Sequence, residues 1–325
     1  LLCPYEPWQE NSDGELSVTL DTTSPDEGIV IVDNQNTTEN ITINIAKVKA
    51  ENSNVEINQM IYNITTSTDD VEDVVESADL YRGSTLVASG TIRDSDGTAA
   101  ADDITGEVIF DDLDETITQD QTAVFTLKIS LKENDGGTTC GTNPTNYSNY
   151  CTGETVQVTL DVTPVTGIDA VDADFNDIST ISGSAIADTQ HLFTDAPVFT
   201  FVSATRSKSD DGNGVETGTY SIVFSVKAEG SNIYIDEDST ENGTTAAQGV
   251  GFDNIAGTPA STTGVVTSTA NDVGDSFEVI DGTTETFTLT VASVGNATAP
   301  QFNRVAILGI GWDTDSTTGD GSVYN

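Results

Sequence analysis

Carboxylates are the one reactive side chain that this sequence supplies in quantity: 54 Asp and Glu stand against 10 Lys and Arg and a single His. Hard cations want several oxygen ligands at once, and Asp residues on short loops deliver them at close spacing, so calcium is the chemistry to look for first. Three groups qualify: Asp169, Asp172, Asp174 and Asp177; Asp236 with Asp238; and Asp313 with Asp315. None completes the twelve-residue loop with Gly at its sixth position and a bidentate Glu at its end. A chain this acidic also produces such clusters as solvated loops, so spacing alone does not separate a site from a surface. The group at 169–177 ranks first, because a cation there would neutralise repulsion at the expected junction between domains.

Other chemistries are poorly supplied. A Ser-His-Asp or Cys-His nucleophile needs a positioned base, and His191 sits beside Leu192 and Phe193 with no nucleophile motif nearby. The same scarcity excludes zinc sites of the ordinary Cys/His kind. Paired carboxylates hydrolyse glycosides, but a pair means little among so many acids, and two Trp give few surfaces for stacking sugars. No phosphate-cradling or dinucleotide motif occurs. The sequence therefore points away from an enzyme, with calcium as the one cofactor to consider.

Cys140 and Cys151 bracket a Gly/Asn/Thr/Tyr-rich stretch whose ends can meet, and in an oxidising compartment they are expected to close as a disulfide. Cys3 is left over, either unpaired or bonded to another subunit. Asn36, Asn40, Asn63, Asn146, Asn242 and Asn296 head glycosylation sequons, a number that a chain so rich in Ser and Thr reaches by chance. Asn146 and Asn242 are expected in loops, and the Thr-rich stretch 258–269 reads as a flexible loop or a site of O-linked sugars.

A net charge of −44 offers no basic patch to displace counterions from phosphates, which excludes nucleic acid and anionic membrane surfaces as partners. Solubility at a crowded surface, salt tolerance and cation binding remain as reasons for the acid. The apolar run Val305-Ala306-Ile307-Leu308-Gly309-Ile310 is far shorter than the roughly 20 residues that span a bilayer. The sequence starts at Leu1 without Met, as expected if a leader has been removed or the first residues are missing.

The elements that must position these groups are strands. Leu16, Val18 and Leu20 alternate with polar residues, as do Phe125, Leu127, Ile129 and Leu131, then Val156, Val158 and Leu160, then Tyr220, Ile222, Phe224 and Val226. Turn dipeptides such as Asp211-Gly212 and Asp281-Gly282 separate them. The apolar parity shifts after Ile45, which predicts a bulge or a strand that changes sheets, and only residues 71–78 suggest a helical turn. Residues 117–130 align without gaps to 279–292, matching Phe125 with Phe287 and Leu127 with Leu289, as two similar domains would. The expected fold is all-β, two tandem Ig-like antiparallel β-sandwich domains, at 15–165 and 197–325, with an extended arm at 1–14 and an acidic linker at 166–196.

Segments such as Ala78-Asp79-Leu80-Tyr81-Arg82-Gly83 and Phe287-Thr288-Leu289-Thr290-Val291, on an acidic and Thr-rich background, resemble prokaryotic cell-surface proteins built from Ig-like sandwiches, the S-layer subunits and donor-strand filaments of archaea and bacteria. The resemblance covers the chain loosely and has no diagnostic motif. It implies a secreted structural subunit whose partners are copies of itself, joined when a terminal strand of one completes a sheet of the next. Residues 1–20, with Pro4 and Pro7 suited to an extended arm, and the apolar 304–312 are the expected donors. The other readings are a surface adhesin and, further off, a carbohydrate-active enzyme.

Overall fold

The computed structural model describes residues 13–94, 104–134, 150–212, 214–242, 249–255, 259–295, 304–315 and 322–324. The chain divides into two compact units, residues 1–194 and 195–325.

The first unit opens with β1 (Glu15–Leu20), β2 (Gly28–Ile31), β3 (Thr38–Glu51) and β4 (Val55–Thr66). A single helical turn, α1 (Val71–Val74), is capped by Asp70, whose carboxylate accepts the Glu72 N–H at 3.0 Å, and leads directly into β5 (Val75–Arg82). Short strands follow: β6 (Thr85–Gly90), β7 (Ile92–Asp94), β8 (Thr105–Phe110) and β9 (Glu115–Ile117). The unit is completed by β10 (Thr122–Leu131), β11 (Glu154–Leu160), β12 (Ile168–Asp172), β13 (Ile181–Ile186) and β14 (Gln190–Phe193). In β10 and β11 the burial alternates residue by residue, as the sequence pattern requires of strands with one face in the core.

All fourteen strands join one mixed sheet along the path β6-β5-β10-β3-β1-β13-β11-β4-β8-β7, with β12 and β9 on β4, and β14 on both β11 and β2. The expected bulge is present: Ile43 and Asn44 are both buried, and the β3–β10 register slips opposite Leu127 and Lys128. Asn44 turns inward there and donates its Nδ2 to the Ala185 carbonyl at 3.0 Å.

β13 is the tie between the two halves of this path. It runs parallel to β1, Leu16 opposite Ile181 through Thr19 opposite Ser184, and antiparallel to β11, Leu160 opposite Ala185. Gly183 makes the approach possible: it has φ 89°, and a Cβ would lie 2.0 Å from the Val18 carbonyl oxygen. Residues 166–194, nearly all of the stretch expected above as a linker, are therefore part of the first unit. Ile168 and Ala170 face inward on β12 while Asp169 faces outward, so much of the acid that read as linker composition is the solvent side of a strand.

The second unit contains β15 (Ala196–Asp210), β16 (Glu216–Glu229), β17 (Ile233–Asp236), β18 (Ser239–Glu241) and β19 (Val250–Ile255). Then come β20 (Ser261–Ser268), β21 (Asn271–Val273), β22 (Ser276–Val279), β23 (Thr284–Val294), β24 (Arg304–Trp312) and β25 (Ser322–Tyr324). Three sheets result, in the orders β15-β16-β23-β20, β17-β22-β21 and β18-β19-β24-β25.

The paired segments 117–130 and 279–292 occupy matching places. Ile117 and Val279 end short strands, Asp120 and Gly282 take positive φ at 61° and 73°, and Phe125, Leu127, Phe287 and Leu289 are fully buried. A second correspondence is closer still. VKAENSNVEI at 48–57 matches VKAEGSNIYI at 226–235 at seven of ten positions. Both form a corner between two consecutive strands that do not pair with each other, with Asn52 and Gly230 at positive φ and an ion pair at the same place, Lys49 with Glu51 and Lys227 with Glu229. The registers agree as well: Val55 faces Ile117 and Ile57 faces Glu115, while Ile233 faces Val279 and Ile235 faces Phe277. These stretches occupy matching places in the two units.

Candidate functional site

The second unit carries the feature that separates it from the first. Its β15 and β16 form a long hairpin closed by Asp211 and Gly212; the Gly212 N–H donates to Asp210 Oδ1 at 2.7 Å, and its φ of 81° suits only glycine. Among the described residues β15 pairs with β16 alone, so no other described strand borders its outer edge. In register, Phe199 lies opposite Val226 and Phe201 opposite Phe224, and opposed residues share a face of the sheet. That face is the core face. Phe224 is 4% exposed and stacks on Phe287 at 5.5 Å, with Phe199 tilted against it at 6.4 Å. Phe201 projects from the same face and is 68% exposed. An aromatic ring on the core side that keeps most of its surface in solvent marks a place where the sheet is not covered.

The other bank is β24. Its pairing with β19 runs from Arg304 to Ile310, but on its other side β25 reaches only Ile310, Gly311 and Trp312. The backbone from Arg304 to Gly309 is unpaired on that side among the described residues. Between the two open edges lies a groove of about 210 Å³, floored by Ile222 and Phe224 and walled by Phe199, Phe201, Leu308 and Ile310, with no ionisable side chain in its lining. In a chain of net charge −44, an uncharged lining of this kind is a local exception.

The acids predicted as a metal site are not gathered. On β12, Asp169 and Asp172 are three residues apart and so point to opposite faces. Asp172 is buried and already engaged: its Oδ1 accepts the N–H groups of Asp174 at 2.8 Å and Asn176 at 2.9 Å, and these bonds hold its carboxyl below the usual value. Asp174 and Asp177 are exposed, Asp177 bridging Val171. Among the described residues no three acids, His or Cys form a metal-sized cluster. In the second unit Asp236 accepts the Ser276 hydroxyl at 3.0 Å, and Asp313 exchanges backbone bonds with Tyr234.

Cys151 is buried and disulfide-bonded; Cys140, its expected partner, lies outside the described residues, as do Cys3, Asn146 and Asn296. Asn36, Asn40 and Asn242 are exposed in turns or at strand ends, and Asn63 points outward from β4. His191 lies on β14 with its Nε2 3.1 Å from Glu27 Oε1.

The groove was only half visible in the sequence. Residues 304–312 stood out as apolar, and the Tyr220 to Val226 alternation located its floor. Its other wall was missed because Pro197-Val198-Phe199-Thr200-Phe201-Val202 reads as a continuously apolar strand, which normally signals burial on both faces. The signal that finds it is the VKAE repeat, which aligns the two units and shows which strand has no counterpart.

No family model and no curated protein matches the chain. Among solved structures, a CaDoc0917–CaCohA2 complex is matched at 12% identity over 55% of this chain and 99% of that chain, with a TM-score of 0.25. A chaperone–tip adhesin complex of CFA/I fimbriae biogenesis is matched at 10% identity over 92% of this chain and 98% of that one, with a TM-score of 0.18. No helix among the described residues is long and apolar enough to cross a membrane. The chain is a mostly-β protein with a distant likeness to these assemblies, at a level that assigns it neither family nor function.

Proposed function

We propose that this protein is a structural subunit of an extracellular filament or surface layer, built of tandem Ig-like sandwiches and assembled by β-strand addition between copies. The observation that carries the reading is the open edge of β15 beside a core face left uncovered at Phe201. An unpaired strand edge presents a row of N–H and C=O groups ready for another strand, and an uncovered apolar face beside it supplies the affinity. The role is structural rather than catalytic, with His191 and Glu27 as a surface ion pair.

Negative-stain electron microscopy of the native secreted material is the test. Regular filaments or sheets are expected, and dispersed single particles at every concentration would overturn the reading. The second reading, an adhesin, is favoured by Phe175, which is 83% exposed at a turn of the first unit with φ 63°. Under that reading the particles stay monomeric, and Phe175→Ser abolishes cell binding.

A further inference from the structure

The first unit shows what the second one lacks. In the first unit β1 pairs with β3 as β15 pairs with β16 in the second: Leu16 lies opposite Ala50 and Val18 opposite Val48, while Pro197 lies opposite Ala228 and Phe199 opposite Val226. Ala50 and Val48 are the repeat counterparts of Ala228 and Val226, so β1 and β15 are equivalent strands. The outer side of β1 is covered by β13, which then passes to β11 and fills the space between them. β11 follows β10 as β24 follows β23, and β14 extends the cover along β11, Gln190 opposite Val156 to Leu192 opposite Glu154. Among the described residues of the second unit the corresponding cover is three residues of β25. The groove between β15 and β24 is the space that β13 fills in the first unit.

Resting on the strand-addition reading, we propose that this groove receives residues 1–8 of a second copy, running parallel to β15 and antiparallel to β24. The polarity is that of β13 against β1 and β11. The occupant follows from composition. Of the segments outside the described residues, Leu1-Leu2-Cys3-Pro4-Tyr5-Glu6-Pro7-Trp8 carries four large apolar side chains and one acid, whereas the others are dominated by Asp, Gly, Thr, Asn and Ala. An apolar groove with no ionisable lining selects the segment richest in large apolar side chains. Eight extended residues span roughly 26 Å, enough to run the length of the open β24 edge. Pro4 and Pro7 each remove one N–H donor, and β13 sets the precedent for a cover that is not fully paired, since it meets β11 at only two positions.

A complementation experiment tests this. A chain lacking residues 1–8 keeps the groove but has no donor; Phe201→Asp in the full chain keeps the donor and spoils the groove. Circular dichroism melts confirm that each variant folds, with Leu308→Asp as a second groove variant should Phe201→Asp not fold. Each variant alone is expected to stay monomeric, and their mixture to form a 1:1 dimer that stops there, seen by sedimentation. A synthetic peptide of residues 1–12 should bind the truncated chain and bind Phe201→Asp at least about tenfold more weakly, the scale of losing a central apolar anchor. If the truncated chain still assembles, or the peptide does not bind it, this proposal is overturned while strand addition through another segment stands. If the mixture stays monomeric while the peptide binds, residues 1–8 of one copy do not reach the groove of another, which also overturns the proposal. If the full chain never assembles, the subunit reading fails with it.

Discussion

At the scale of single residues, the most heavily engaged acid serves structure. Glu154 is 4% exposed, and its Oε1 accepts the N–H groups of Ser67 at 2.5 Å, Thr68 at 3.2 Å and Thr155 at 2.8 Å, as well as the Ser67 hydroxyl; its Oε2 accepts the Asp69 N–H at 2.9 Å. One carboxylate therefore fixes the corner from β4 into α1. Glu154→Ala leaves those donors without partners and is expected to lower stability by about 3 kcal/mol in urea titrations, with Glu154→Gln, which keeps an acceptor oxygen, costing less. Asp69 beside it gives a pH signature. Burial first, then repulsion from Glu154 and Asp73, hold its carboxyl above the usual 3.8, against the lowering effect of the Cys151 N–H at 3.2 Å. Between 3.8 and the raised value the folded chain keeps a proton that the unfolded chain has lost, so stability falls as pH rises through that interval. Asp21 has the opposite sign. The Lys47 ammonium at 2.7 Å, with the Thr23 N–H and hydroxyl, takes its pKa down to about 2, so its contribution is lost as pH drops from 3.8 through 2. Asp69→Asn is expected to remove the first slope and leave the second, read from urea midpoints measured against pH.

At the scale of elements, β13 decides whether the first unit closes. Gly183→Ala places a methyl group on the Val18 carbonyl in a conformation that alanine adopts only under strain, so the β1–β13 pairing should open. The expected result is a loss of roughly 3 kcal/mol or more, with faster amide exchange along β1 and β13 and little change in β15 or β23. Unchanged exchange along β1 would mean that β13 is not the tie described here. Alternation made β1, β10, β11, β16 and β23 readable in the sequence, because each has one buried face and a period of two carries that fact. β13 was unreadable for the opposite reason. Ser182, Gly183 and Ser184 are small and exposed, and β13 owes its place to a backbone approach that only glycine permits, which leaves no apolar pattern. The acids at 169–177 stay apart for a related reason: sequence proximity of Asp169 and Asp172 is not spatial proximity once both lie on a strand at odd spacing.

At the scale of the whole molecule, charge sets the conditions under which copies can meet. Each chain carries −44, and a groove without charges cannot offset the repulsion between approaching molecules. Assembly is expected to be slow at low ionic strength and to accelerate as the screening length drops from roughly 30 Å at 0.01 M salt to roughly 8 Å at physiological strength. Light scattering across that range is the measurement. A rate that falls with salt would show that specific ion pairs, rather than apolar strand contacts, hold the copies together.

The repeated corner bears on how the chain reaches its fold. Two stretches of near-identical sequence, 48–57 and 226–235, have nearly the same local preferences, and each must find its own partner: β9 for the first and β22 for the second. When both are unfolded together, each competes for the other's partner, and strands exchanged between the units would be held by many of the same contacts as correct ones. Synthesis removes the competition, because the first corner has met β9 before the second leaves the ribosome. Refolding from denaturant restores it, so recovery of native protein from urea should fall below that of the newly made chain even in dilute solution, where aggregation is absent.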